Sequence, residues 1–326
     1  MAQEASKADG TARVLSLRGT PVRLQPRRLP GTAEIFARAA VVAFGRSQGA
    51  IDPRREANLS PIEIAVPGVR TDPERVAKFR AVCGVRTPAD HLPLSYPECL
   101  FLGAMAEAVL CPAFPLSPFG LIHMRQGIEQ YRPMRPGEVL DLLCRLAEVR
   151  ATGRGYEVDF SLEVRVAGEL TWRGVMTILS RNAETRGRKE RSTRAAPATE
   201  AGADEGFRSS RVVVPEDTGR RYAAASDDWN PHHLTWWTAR TVGYKSPIAH
   251  GMWTLARTVA EIEGERPFGV PTWVDATFKK PIYLPGEVDL RVRDDSATLA
   301  AQPAFRFEVR NPKDGGPHML GGIRPI

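Results

Sequence analysis

The stretch YAAASDDWNPHHL, residues 222–234, sets Asp228 and His233 five positions apart around an Asn-Pro turn. A carboxylate and an imidazole can both take up and release protons near neutral pH, so the pair is suited to general acid–base chemistry. Further on, AHGMW at 249–253 reads as the start of a helix. The first N–H groups of a helix have no partner within it, and with the helix dipole they could meet a negatively charged oxygen. Gly251, without a side chain, would let a substrate come close to its N–H. Taken singly, Asp228 would be an ordinary turn carboxylate and His233 a surface imidazole. Joined to Asn-Pro and to the His-Gly helix start, they read as one site.

The elements around these residues must place them. Asn230 is a good N-cap and Pro231 suits a first turn, which predicts a helix from Pro231 through about Ala239 ending at Gly243. Asp228 would then precede that helix and His233 sit in its opening turn. Strands of period two flank the region: YEVDFSLEVRV at 156–166 upstream, EVDLRVR and AFRFEVR downstream. A repeat organises them. Phe119-Gly120 leads to Pro136-Gly137-Glu138-Val139, and Phe268-Gly269 leads to Pro285-Gly286-Glu287-Val288, with an offset of 149 at both ends. Each copy has an apolar helix upstream, ECLFLGAMAEAVL stopping before Pro112 and HGMWTLARTVAEIEG stopping at Gly264. Small residues (Gly103, Ala104 and Ala106; Gly251, Ala256 and Ala260) would let each helix lie close to a sheet. The expected organisation is a flexible leader at 1–30, a first domain at 31–181, a linker at 182–206 and a second domain at 207–326.

Composition sets limits. A chain of 326 residues with 42% hydrophobic and 25% charged residues can bury a core in each half. The net charge of +7 is spread along the chain and partly gathered in RGRKERSTR at 186–194 without aromatic interleaving, which reads as a solvated linker and not as a nucleic-acid surface. Four cysteines without metal-type spacing point to a reducing compartment, and no apolar run reaches membrane-span length, so a cytoplasmic protein is expected.

YAAASDDWNPHH followed by GYKSPIAHGMWT resembles the hydratase-2 signature of the MaoC-like enoyl-thioester hydratases and dehydratases. LPLSYPECLFL and GLIHMRQGIEQYRPMRPGEV resemble the degenerate leading domain of its double hot-dog members. The resemblance implies an α+β double hot-dog, two antiparallel sheets each wrapped around a central helix and packed as a pseudo-dimer. It implies reversible hydration of trans-2-enoyl thioesters to (R)-3-hydroxyacyl thioesters. Asp228 and His233 would hold the water, a backbone N–H near Gly251 would form the oxyanion hole, and Asn230, His250 and Met252 would touch substrate. No metal and no cofactor is implied, and CoA or an acyl carrier protein would be the substrate handle. Arg240, Lys245, Lys279 and Lys280 could meet its phosphates. A homodimer of pseudo-dimers, without nucleic-acid or membrane partners, completes the expectation. Two alternatives keep the fold: an acyl-thioester-binding protein without catalysis, or a thioesterase. The latter is disfavoured because Glu261 and Glu263 lie at the far end of the helix from His250.

The chain departs from the family pattern at two positions: Asp227 stands where the family has Gly, and His232 where it has an apolar residue. If the Gly serves a positive φ, Asp is among the less costly replacements. Turned into the pocket, Asp227 would repel Asp228; turned out, it is harmless. The first copy carries no second site, since the offset of 149 maps Asp228 and His233 onto Phe79 and Gly84, and His250 and Gly251 onto Phe101 and Leu102. Asp90-His91, adjacent in a loop, reads as surface.

Overall fold

The computed structural model describes residues 12–43, 50–51, 56–181, 206–267, 269–296 and 304–326. The expected linker at 182–206 lies outside the described residues except for Gly206. Strands β1 (Arg13–Leu15) and β2 (Val22–Leu24) and helix α1 (Thr32–Ala43) come first, then β3 (Ile62–Val69) and α2 (Pro73–Cys83). A 3-10 turn, Tyr96–Phe101, runs into α3 (Leu102–Leu110). Four strands follow: β4 (Leu121–Gln130), β5 (Leu140–Thr152), β6 (Gly155–Val166) and β7 (Glu169–Arg181). The second half repeats this order with β8 (Arg208–Val214), α4 (Thr218–Ser226), a 3-10 turn at Pro231–His233, α5 (Trp236–Thr241) and α6 (Gly251–Glu265). It ends with β9 (Thr272–Phe278), β10 (Gly286–Asp294), β11 (Phe305–Arg310) and β12 (Pro317–Pro325).

Hydrogen bonding shows the two copies directly. The sheet runs β2-β3-β5-β6-β7-β4-β9-β12-β11-β10-β8, so its second half reverses the first about the β4–β9 pair. The offset of 149 recurs in the helices, since α3 begins at Leu102 and α6 at Gly251. The expected double hot-dog is therefore present, with its two sheets joined edge to edge through β4 and β9 into one sheet that, among the described residues, is antiparallel except where β2 meets β3.

Alternation places the core. Val158, Phe160, Leu162 and Val164 of β6 are buried, as are Val288, Leu290 and Val292 of β10. Against these faces lie the two central helices, with Ala104 and Ala108 of α3 and Leu255, Ala256, Val259, Ala260 and Ile262 of α6 buried. Small residues here let helix and sheet approach, and one continuous apolar cluster spans both halves. Trp253 of α6 donates its indole N–H to the Val82 carbonyl of α2 at 3.0 Å, tying one half to the other. Among the described residues no helix is long and apolar enough to cross a membrane.

Two expectations are corrected. The leader at 1–30 is not wholly loose, because β1 pairs with β5 and β2 with β3, while Leu29 packs so tightly on α3 that a Cβ at Gly103 would come within 2.7 Å of it. Gly264 does not stop the second central helix, which continues to Glu265.

Candidate active site

Helix α4 delivers the first acidic residues. It ends at Ser226, and Asp227 takes the left-handed conformation, φ 70°, as its C-cap with its N–H bonded to the Ala223 carbonyl at 2.8 Å. This is the positive φ that the glycine of the family pattern would supply, and Asp adopts it at modest cost. Its carboxylate faces away from the site. Oδ1 accepts the Trp229 indole N–H at 3.1 Å, and Oδ2 lies 3.8 Å from the Arg75 guanidinium.

Asp228 is held in the opposite sense. Its N–H donates to Ser226 Oγ at 3.2 Å, and its Oδ1 accepts from the backbone N–H and side-chain Nδ2 of Asn230 at 3.2 and 2.6 Å. Asn230 thus positions the carboxylate and makes no side-chain cap on the following turn. The helix expected from Pro231 to Ala239 is also corrected. A 3-10 turn covers only Pro231–His233, and α5 starts afresh at Trp236, capped by Thr235 and Thr238 bonding reciprocally.

His233 Nδ1 lies 2.8 Å from the Ile248 carbonyl. A carbonyl only accepts, so Nδ1 carries the hydrogen and Nε2 keeps its lone pair. The Ile248 N–H donates to the His232 carbonyl at 3.0 Å, so the turn and the segment before α6 hold each other. His250 precedes Gly251, the first residue of α6, and its Nε2–H donates to the Asp228 carbonyl at 3.0 Å. A carboxylate oxygen of Asp228 and one ring nitrogen each of His233 and His250 fall within 4.8 Å of one another.

Three imidazoles crowd this point. His233 and His250 stack with ring centroids 3.5 Å apart and planes at 23°, and His232 lies 4.0 Å from His233. Burial pushes His233 well below the usual imidazole range, and the two neighbouring histidines push it further, against the pull of Asp228 and the Ile248 carbonyl. Burial likewise takes His250 down to about 3. The site therefore holds neutral imidazoles at neutral pH. The spacing also invites comparison with a three-ligand metal centre. Lone pairs lie in the plane of an imidazole, and rings stacked 3.5 Å apart at 23° hold theirs in nearly parallel planes, a poor arrangement for two ligands of one ion.

The leading half reaches into the same region. His123, at a bulge in β4, has Nε2 3.0 Å from the Arg125 carbonyl, and its ring meets Phe278 edge-on at 4.8 Å. Phe278 in turn lies against Gly251, where a Cβ would stand 3.1 Å from the ring. Burial lowers His123 to about 4, while the charge of Asp228 pulls upward. Glu98, from the 3-10 turn before α3, is buried; burial and then the Asp228 charge raise its carboxyl to about 8. Tyr222 of α4 packs on His250 at 4.8 Å and brings its hydroxyl within 3.8 Å of Cys99 Sγ. A further requirement is Gly219, since a Cβ there would come within 1.9 Å of the His233 carbonyl oxygen.

The structure thus brings Asp228, His233, His250, Asn230 and Gly251 together. Met252 sits in the apolar core, so its expected contact with substrate has no support in its surroundings. The Arg240 guanidinium caps the Trp236 ring at 4.5 Å, Lys245 lies over Tyr283 at 4.4 Å, and Lys279 and Lys280 are exposed. Phe79 and Phe101, at the positions equivalent to Asp228 and His250, are fully buried, and Gly84 is a left-handed C-cap, so the first copy has packed its site with core residues. The Asp90-His91 pair is surface, as expected. A hollow of about 320 Å³ on the far face of the sheet, across Arg125, Arg173 and Trp273, contains none of the site residues.

The model of the MaoC like domain family matches residues 184–303. The chain is 30% identical over 268 residues to 3-hydroxyacyl-thioester dehydratase X of Mycobacterium tuberculosis, covering 81% of this chain and 89% of that protein. A crystal structure of HtdX from the same organism matches with a TM-score of 0.66 at 28% identity, over 81% of this chain and 100% of that one. A mitochondrial 3-hydroxyacyl-[acyl-carrier-protein] dehydratase of Arabidopsis thaliana is 32% identical over 82 residues, 25% of this chain and 49% of that protein. With 30% identity along 89% of the mycobacterial dehydratase and a fold in common with its crystal structure, the chain belongs to the MaoC-like dehydratase family of enzymes.

Proposed function

We propose that the protein catalyses the reversible hydration of trans-2-enoyl thioesters, carried on CoA or an acyl carrier protein, to (R)-3-hydroxyacyl thioesters. The observation that carries this reading is the convergence of Asp228, His233 and His250 within 4.8 Å beside the opening of α6. The relatives named as 3-hydroxyacyl-thioester and carrier-protein dehydratases supply the substrate class, and the family resemblance supplies the stereochemistry.

In this reading the thioester oxygen rests at the Gly251 N–H, which polarises the carbonyl and the conjugated double bond. One water hydrogen bonds to Asp228 Oδ2, the carboxylate oxygen that Asn230 leaves aside, and the other to His233 Nε2. His233 takes the second proton as the water oxygen bonds to C3, and the negative charge moves to the thioester oxygen. The imidazolium then returns that proton to C2, so both hydrogens of the water end in the product. Dehydration runs the same steps backwards, with no metal and no redox cofactor.

The test is loss of enoyl absorbance across a series of trans-2-enoyl-CoA chain lengths, with free thiol measured alongside. Hydration is expected, reduced about 100-fold or more in both Asp228→Asn and His233→Ala. Release of free thiol in place of hydration refutes the reading, as does full activity of either variant.

A further inference from the structure

His232 is not needed as a donor or acceptor in the chemistry above, and the family pattern has an apolar residue at its position. Yet its ring lies against the reacting imidazole, 4.0 Å between centroids at 57°, with its own neighbour Tyr244 at 5.5 Å. It is also the most open of the three touching histidines, part-exposed where His233 and His250 are only 7% and 2% exposed. A proton entering this group settles where solvation costs least, and a charge on one ring then opposes a second charge on the ring beside it.

We propose that His232 is a positioning residue that accepts the first proton of the cluster, so that His233 keeps its Nε2 lone pair into acid solution where a lone imidazole would be charged. This rests on the hydratase reading for its functional meaning, though not for its physical content. The groups facing His233 are the Asp228 carboxylate from the loop after α4, His250 at the start of α6, His232 and the Ile248 carbonyl. Tyr244 faces His232, and the Arg220 guanidinium ends nearby on the Leu234 carbonyl at 2.9 Å. Asp228 and the Ile248 carbonyl favour a proton on His233, while burial, His250 and His232 oppose it. Of the opposing groups, His232 is the one that can be changed without touching Asp228 or the start of α6.

Two readouts test this on the full chain: NMR titration of ring-labelled histidines, and the acid limb of kcat/KM for enoyl-CoA hydration. In His232→Gln, which keeps the backbone carbonyl that Ile248 uses, the His233 titration and the midpoint of the acid limb are both expected to rise by about one pH unit. His232→Lys carries from the start the charge that His232 acquires first, so it is expected to leave both near their wild-type values, and His232→Asn replaces the Gln variant if that one fails to fold. A His233 titration that stays within about 0.2 unit of wild type in the Gln variant, or that rises as far in the Lys variant as in the Gln variant, overturns the proposal. Because the NMR titration needs no turnover, failure of the hydratase reading shows up separately, as a wild-type protein that leaves enoyl absorbance unchanged.

Discussion

Replacing Glu98 by Gln should make the fold resistant to alkali. Glu98 is buried at 8% exposure and has no ion pair among the described residues, while burial and the neighbouring Asp228 lift its carboxyl from 4.5 to about 8. Those two values lie about 3.5 pH units apart, worth about 5 kcal/mol at about 1.4 kcal/mol per unit. The sign follows from proton binding. Between the two values the unfolded chain has lost this proton and the folded chain still holds it, so stability is full below 4.5 and declines until pH passes about 8. Gln cannot ionise and escapes that decline. Urea unfolding at several pH values from 5 to 9 measures it, and comparing the two proteins at each pH cancels every other titrating group. Relative to Glu98→Gln, the wild type is expected to lose about 3 to 5 kcal/mol across the range. A difference that stays constant within about 0.5 kcal/mol would refute the reasoning, because Glu98 would then ionise equally in the folded and unfolded chain.

Gly219→Ala would drive a methyl group into the His233 carbonyl, a backbone group that cannot rotate away, so α4 or the catalytic turn must shift. The expected cost is about 2 to 4 kcal/mol with at least a tenfold fall in hydration, and a wild-type melting temperature and rate together would contradict it. Asp227→Gly, by contrast, places the residue best suited to φ 70° at a position whose carboxylate faces Trp229 and Arg75. Hydration is expected to stay within about twofold of wild type; a tenfold change in either direction, measured with the same enoyl-CoA, would mean that Asp227 acts inside the pocket.

Much of this architecture can be read from the residues in order. The offset of 149 between two PGEV turns anticipates the mirrored sheet, and the same offset links the starts of α3 and α6. Asp228, His233 and Gly251 stand out because local features mark them: an Asn-Pro turn and a His-Gly helix start. What local features do not mark is not legible in the sequence. Glu98 and His123 lie more than a hundred residues from Asp228, and the packing of the leading copy on the second, through β4 beside β9 and Cys99 beside Tyr222, brings them close enough to sense its charge. Gly219 looks like any helix-opening glycine until its distance to His233 is known. The break before α5 had a readable signal in Thr235 and Thr238, an N-cap pair, but Pro231 offered a competing start and drew the expected boundary too early. The pairing of β1 with β5 and of β2 with β3 is not legible in the residues, because three-residue strands carry no periodicity of their own.

The seam between β4 and β9 has a consequence for how the molecule endures dilution. Two separate chains meeting along such an edge would part at low concentration, whereas here the partners share one backbone and remain at high effective concentration at any protein level. The leading copy is therefore always present, with Phe79 and Phe101 in its core and with Glu98 and His123 close enough to feel the charge of Asp228.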